Sequence, residues 1–285
     1  SQLEKNVWKV SSIETKPKTQ NPYAPFITST LQQEGIRKLR MNSTQIMRVA
    51  QALYEDGYIT YMRTDSIHLS TEALAGSRKV IEKKYGKDYL PKSPRIYKSK
   101  SKNAQEAHEA IRPAGSTFKD PKELKNILTE IEYKVYDLIW KRTIASQMNS
   151  AKTEQTKLHI SDGDYLFMAH GKTIIFPGFL RAYVEGSDDP DATLDDMEKT
   201  LPQVSIGDSV IWDDIIPKQH FTKPISRFTE ASLVKELESL GIGRPSTYAA
   251  IMKKIQDKGY VNNNKGALIP TFTGYAIVQF LVRNF

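Results

Sequence analysis

The chain has 285 residues, 41 Lys and Arg against 33 Asp and Glu, a formal net charge of +8, 39% hydrophobic residues and no cysteine. This length can bury a sizeable core over two or three domains, and the lack of cysteine excludes disulfides, thiol catalysis and Cys-ligated zinc. No run approaches the roughly 18 apolar residues of a membrane span. Ser1-Gln2-Leu3-Glu4-Lys5 has no apolar signal-peptide core, so a cytoplasmic chain is expected.

From the N-terminus, Val7, Trp8, Val10 and Ile13 alternate and predict a strand, followed by a Lys/Pro/Thr/Gln/Asn loop up to residue 20. Residues 28–40 predict a helix. Ser43 or Thr44 can cap a second one, with Ile46, Val49, Ala50, Leu53 and Tyr54 on one face and Gly57 ending it. Tyr58-Ile59-Thr60-Tyr61-Met62 is β-branched and aromatic and predicts a short strand. A helix over 70–85 follows, then a Pro/Ser/Lys loop over 91–103. A short helix over 104–111 stops before Pro113. Residues 121–148 predict one long amphipathic helix or a broken pair.

The pattern then changes to strands over 151–160, 164–170, 173–176, 179–184 and 208–216, with an acidic loop over 185–200. A second helical unit starts at Thr229 and runs to about Leu240. Gly241 to Pro245 form a turn, Ser246 or Thr247 caps the next helix, and Gly259-Tyr260-Val261 ends it. The two helical units resemble each other, each a helix-turn-helix followed by a strand, which suits nucleic-acid binding. Charge is also uneven. Residues 78–112 are rich in Lys and Arg, whereas 185–214 are acidic. The basic run suits a polyanion partner or, equally, a solvated helix face.

Three strings carry chemistry. In Tyr61-Met62-Arg63-Thr64-Asp65-Ser66 a strand would put Tyr61 and Arg63 on one face. A phenol is a poor nucleophile at neutral pH, and a guanidinium beside it can stabilise phenolate and grip a phosphate. With 14 tyrosines in the chain, a Tyr near an Arg is by itself an ordinary structural pair. In Glu106-Ala107-His108-Glu109-Ala110-Ile111-Arg112-Pro113 a helix would put His108 and Arg112 on one face to hold a phosphate, or present ordinary surface ion pairs. In Gly241-Ile242-Gly243-Arg244-Pro245-Ser246-Thr247-Tyr248 the glycines permit close backbone approach. Arg244 brings charge, Ser246 and Thr247 hydroxyls, and Tyr248 a face for stacking a base, although a well-capped turn explains the string too. No Walker-type loop occurs, so no ATP use is expected.

Taken together, in this order and spacing, these strings closely resemble the type IA DNA topoisomerases of bacteria. The runs Ala24 to Gln32, Phe221 to Pro224, Arg227 to Val234 and Gln256 to Val261 add to the likeness, which is weakest over 151–216. The resemblance implies an α+β multidomain chain, part of a toroidal fold with helical winged-helix or CAP-like modules and a β-rich arch. Residues 1–20 with 148–222 would form the arch. Residues 21–147 would be the helical domain carrying Tyr61, and 223–285 an incomplete part of the domain binding single-stranded DNA.

The resemblance further implies ATP-independent relaxation of negatively supercoiled DNA. One strand is cut through a 5′-phosphotyrosine, another strand is passed and the cut is resealed. Tyr61 would be the nucleophile, Arg63 would orient it and the scissile phosphate, and His108 would hold the cleaved strand. Arg112 and Glu109 would support DNA binding, and Arg244, Ser246, Thr247, Tyr248 and Lys258 would hold single-stranded DNA. The partners implied are single-stranded and negatively supercoiled DNA, with no membrane and a monomeric chain.

The family's Mg2+ belongs to a Toprim domain expected before residue 1. Asp162-Gly163-Asp164 lacks the partner Glu, so no metal ligands are expected here. The chain is therefore expected to be a fragment that holds the nucleophile but does not complete cleavage alone. A helix-turn-helix regulator explains the charge and the repeat but leaves Tyr61, Arg63 and His108 idle. A tyrosine recombinase places its H-x-x-R before the Tyr, opposite to the order here. A non-catalytic scaffold remains a reading for the chain alone.

Overall fold

The computed structural model describes residues 7–98, 109–162, 164–187, 201–211, 213–214, 216–222 and 224–285. The chain divides into two compact units, one of residues 1–21, 150–178 and 189–225, the other of 22–149, 179–188 and 226–285.

The first unit is an antiparallel sheet. It contains β1 (Trp8–Gln20), β2 (Ala151–Ser161), β3 (Leu166–Phe176) and β4 (Ser209–Val210), in the order β3-β2-β1-β4. Trp8 and Val10 are buried on one face while Lys9 between them is exposed, the period of two expected of a half-covered strand. Trp8 meets Phe167 edge to face at 5.0 Å. The expected loop before residue 20 is instead strand, with Pro17 opposite Glu154. Proline is tolerated there because β4 covers β1 only at Trp8 and Lys9, leaving an open edge for a residue without an N–H. The two strands expected over 164–176 are one, because Gly171 stays in register opposite Thr156. The strand expected over 208–216 shrinks to Ser209–Val210.

The second unit is mainly helical. It begins with α1 (Thr28–Leu39) and α2 (Ser43–Glu55), whose cap is Asn42 rather than Ser43 or Thr44. Asn42 and Gln45 satisfy each other's backbone N–H groups. Arg40 turns the corner in the left-handed region, at φ 57°. Gly35 lets the pair close up, since a Cβ there would lie 2.6 Å from Ile46 Cδ1. Then come α3 (Thr71–Tyr85), α4 (Pro121–Leu124) and α5 (Glu130–Ser146). The last two are the broken pair, because Thr129 takes the extended conformation of a cap and bonds Glu132. Phe26, Leu31, Ile46, Leu53, Ile59, Ile81, Ile111, Tyr136 and Ile139 are fully buried in this unit.

Residues 179–184, expected as a strand, follow a 3-10 turn over Gly178–Arg181. Phe179 and Tyr183 are both buried, and the Tyr183 N–H donates to Phe179 O at 3.0 Å. A spacing of four on one face needs a helical turn, not an alternating strand.

The chain ends with α6 (Glu230–Ser239), α7 (Tyr248–Asp257), the hairpin β5 (Val261–Asn264) and β6 (Ala267–Pro270), and α8 (Phe272–Asn284). Val234, Tyr248 and Met252 form a small core between α6 and α7, with Leu233, Leu237, Ile251 and Ile255 around it. The helical repeat is therefore partial. A hairpin follows α7, whereas only isolated bridges follow α2.

Candidate functional site

The segment carrying Tyr61 is not a strand. Its regular pairing is one isolated bridge, Ile59 to Pro113. It is nevertheless held on both sides. The Thr60 N–H donates to Arg112 O at 2.9 Å, and Thr60 Oγ1 donates to Ala110 O at 2.7 Å and accepts the Arg112 N–H at 3.0 Å. On the other side stands Thr28, the first residue of α1. Its hydroxyl donates to Met62 O at 2.8 Å and accepts the Thr64 N–H at 2.9 Å, while its own N–H donates to Thr64 O at 3.0 Å. Met62 and Thr64 are buried, whereas Tyr61 and Arg63 are exposed. The expected sharing of one face by Tyr61 and Arg63 thus occurs without a regular strand. It follows from anchoring every second residue.

Tyr61 is 39% exposed and meets the Tyr54 ring at the end of α2 edge to face, 5.2 Å between centroids. Among the described residues neither the Tyr61 hydroxyl nor the Arg63 guanidinium has a hydrogen-bond partner. Both are open to solvent. Chemically this is an accessible phenol two residues from an accessible cation on a hydrogen-bonded backbone.

His108 lies outside the described residues. The helix expected over 104–111 is contradicted where the chain is described, because Glu109 to Ile111 are extended. Ile111 bridges Phe26, and Ala110 N–H donates to His68 O at 2.8 Å. These residues fill the gap between two other segments, which a helix ending at Pro113 could not do.

Arg112 is 6% exposed and has no donor left over. Nε and Nη2 bond Glu109 Oε2 at 3.1 and 2.6 Å, Nη1 bonds Pro113 O and Gly115 O at 2.9 Å each, and Nη2 also reaches Ser70 Oγ at 3.5 Å. Arg112, expected to support DNA binding, thus has its N–H groups spent within the protein. Burial would raise the Glu109 carboxyl, but bonds from Ser70 and Arg112 outweigh it and hold it below its usual range. Glu109 accepts the Ser70 N–H at 2.7 Å and so ties this pair to the start of α3.

The third string is a tight turn. Gly241 and Gly243 have φ of 71° and 84°, which glycine adopts without strain. Arg244 Nη1 donates to Gly243 O at 2.7 Å, and the Arg244 N–H donates to Thr247 Oγ1 at 2.8 Å. Thr247 therefore spends its hydroxyl inside the turn rather than on the first turn of α7. Arg244, Ser246, Thr247 and Lys258 are exposed. Tyr248 is not the stacking face expected. It is 7% exposed and packs in the α6–α7 core, because it starts the helix on its apolar stripe. Burial raises Glu238 and Tyr248, with a smaller push from the nearby charge of Asp65, and the Tyr61 segment and this turn belong to the same unit.

Among the described residues no group of three or more His, Asp or Glu comes together as a metal would require. Asp162 instead closes the β2–β3 turn, accepting the N–H groups of Asp164 and Tyr165 at 3.0 and 2.7 Å. Sequence reasoning missed Thr28, Thr60 and Tyr54, because a lone Thr or Tyr carries no signal until its long-range partner is known. No helix among the described residues is long and apolar enough to cross a membrane.

A family described as DNA topoisomerase matches residues 1–285. The chain is 53% identical over 283 residues to DNA topoisomerase 1 of Synechococcus elongatus, covering 99% of this chain and 32% of that protein. It is 54% identical over 288 residues to DNA topoisomerase 1 of Streptomyces coelicolor, covering 99% and 30%. It thus spans about a third of the length of these relatives. Among solved structures, the full-length topoisomerase I of Thermotoga maritima superimposes with a TM-score of 0.78 at 34% identity, covering 99% of this chain and 46% of that one.

Proposed function

Because the chain belongs to the DNA topoisomerase family, matched over residues 1–285, we propose that Tyr61 is the nucleophile that opens a DNA strand by transesterification. The activity is that of the full-length enzyme, which relaxes negatively supercoiled DNA without ATP. The Tyr61 oxygen attacks phosphorus, the bond from phosphorus to the 3′ oxygen breaks, and the phenol proton ends on the released 3′ hydroxyl. The product is a 5′-phosphotyrosine, and reversal reseals the strand. One phosphodiester is exchanged for another, so no energy source is consumed. The observation that carries the reading is the exposed Tyr61–Arg63 pair on a backbone held by Thr28 and Thr60.

Arg63 offers a guanidinium to the phosphate under attack, and His108 holds the cleaved strand. Arg244, Ser246, Thr247 and Lys258 grip single-stranded DNA upstream, while Glu109 and Arg112 brace the backbone that carries Thr60. Tyr248 contributes packing to that grip. On this reading residues 1–20 with 148–222, apart from 179–188 that pack with the helical unit, are the β-rich arch of a torus. Residues 21–147 are the helical domain, and 223–285 are part of the strand-binding domain, with winged-helix character in α6, α7 and the hairpin. Mg2+ would be held by the acidic residues of the full-length enzyme's Toprim domain, and no step here passes through it.

The test combines the full-length enzyme, Mg2+ and an end-labelled single-stranded oligonucleotide. Covalent adduct should form with the native chain and vanish with Tyr61→Phe. Adduct formation by the Phe variant would overturn the assignment, and tight sequence-specific duplex binding without adduct would favour a regulator.

A further inference from the structure

Neither α1 nor α2 has an acidic residue in its first turn, the place where a carboxylate best complements the helix dipole. Both receive one from α6. Glu238 Oε1 accepts the hydroxyl of Ser29, in the first turn of α1, at 2.7 Å. Glu230 Oε2 accepts the backbone N–H of Ser43, the first residue of α2, at 3.0 Å, and its other oxygen takes Gln256 Nε2 of α7 at 3.0 Å. Ser29, Ser43 and Glu230 are all buried. The two carboxylates are eight residues apart, about 12 Å along α6. One helix is thereby pinned to two others at both ends, which fixes its direction as well as its distance.

We propose that this pair of clasps sets the register between the DNA grip and the nucleophile, with Ser29 and Glu238 as positioning residues for the cleavage reaction. The path is short. Thr28 holds the carbonyl of Met62, next to Tyr61. Ser29 is the following residue and holds Glu238, three residues before the turn that starts at Gly241. Two hydrogen-bonded steps thus connect the attacking oxygen's backbone to the turn of Arg244. If the turn fixes the upstream nucleotides, the length of this path decides which phosphodiester stands before Tyr61. Small displacements matter there, since about 1 Å of misplacement from a distant change can cost about 100-fold in rate.

The inference rests on the reading of Tyr61 as nucleophile and of the Arg244 turn as a DNA grip. It is tested in the full-length enzyme with an end-labelled oligonucleotide, by mapping every cleavage position and measuring strand affinity. Ser29→Ala and Glu238→Ala should leave affinity within about twofold but lower cleavage at the preferred position about 10-fold or more, with neighbouring positions rising. Glu238→Gln keeps an acceptor for the Ser29 hydroxyl and should restore the native map. Ser29→Ala removes one oxygen from a first helical turn, so it keeps the test open if Glu238→Ala does not fold. An unchanged map in folded Ser29→Ala overturns the inference, as does a fall in cleavage that only follows a fall in affinity. Tyr61→Phe separates the two failures. If it still forms adducts the underlying reading falls, whereas an unchanged map with Tyr61 confirmed as nucleophile removes the register alone.

Discussion

Arg112 and Arg63 show how residues of one type part company by environment. Arg63 is exposed and unpaired among the described residues, whereas all five donors of Arg112 are spent on Glu109, Ser70 and two carbonyls. Arg112→Ala should therefore act on stability first. Breaking a buried pair costs about 3–5 kcal/mol, and the low end applies because the Glu109 side chain is 27% exposed. Each phosphate contact to a single strand contributes about 0.7 to the salt dependence of affinity. Denaturant unfolding should show the loss, while the salt slope of oligonucleotide binding stays unchanged. A slope reduced by about one contact would show that Arg112 touches DNA after all.

At this scale the sequence singled out Tyr61, Arg63 and Arg244 by their order and spacing. It could not reveal that Tyr248 is core or that Arg112 is saturated. Tyr248 depends on a partner on another helix, Val234 of α6, and Arg112 on an irregular backbone that turns the Pro113 and Gly115 carbonyls and Glu109 onto it, with Ser70 beside them, where a helix was expected.

Among the elements, helices were the legible part. Stripes and caps located α1, α2, α3, α6 and α7 to within a residue or two, because a helix is specified by neighbours three and four apart. Misreadings fell where long-range pairing decides. Residues 109–113 pair with Phe26 and Ile59, and β1 runs on through Pro17 because β2 accompanies it to Gln20. Nor could periodicity foresee how closely α3 passes the chain after Arg112. A Cβ on Gly76 would lie 2.4 Å from Ser116 O. That neighbour is backbone and cannot swing away. Gly76→Ala should cost roughly 1–3 kcal/mol in overpacking, offset by up to ~1 kcal/mol of helix propensity. A lowered Tm is the expected result. An unchanged or raised Tm would mean that the 113–118 segment yields freely.

For the molecule as a whole, residues 179–187 show how a discontinuous unit is kept together. They are flanked in sequence by segments of the sheet unit yet belong to the helical one. The Glu34 side chain, fully buried on α1, accepts the Tyr183 hydroxyl and the Gly186 N–H and pairs with Lys38 at 3.1 Å and Arg37 at 3.4 Å. Arg142 pairs with Glu185 and lies over the rings of Tyr23, Phe26 and Tyr183. Burial alone would raise Glu34, but the bonds from Tyr183 and Gly186 and the charge of Lys38 outweigh it and hold it below 4.5. Glu185 moves the other way, raised by burial against the pull of Arg142.

A carboxyl depressed in the folded state stabilises fully above its unfolded value and loses that contribution as pH falls through the folded value. Glu34→Gln should therefore cost most at neutral pH, about 3–5 kcal/mol for breaking a buried charged network. The gap to the native chain should narrow as pH falls below the usual carboxylate range, where the unfolded chain takes up this proton first, and close as pH falls through the depressed folded value of Glu34. Glu185 has the opposite sign, since the folded state takes up its proton first, and because the Glu34 charge is one of the causes that raise it, its contribution is smaller in the Gln chain and works against the narrowing. Urea unfolding of both chains between pH 3 and 7 measures that difference directly. A gap independent of pH would show that Glu34 holds the 179–187 segment by shape and hydrogen bonding rather than by charge.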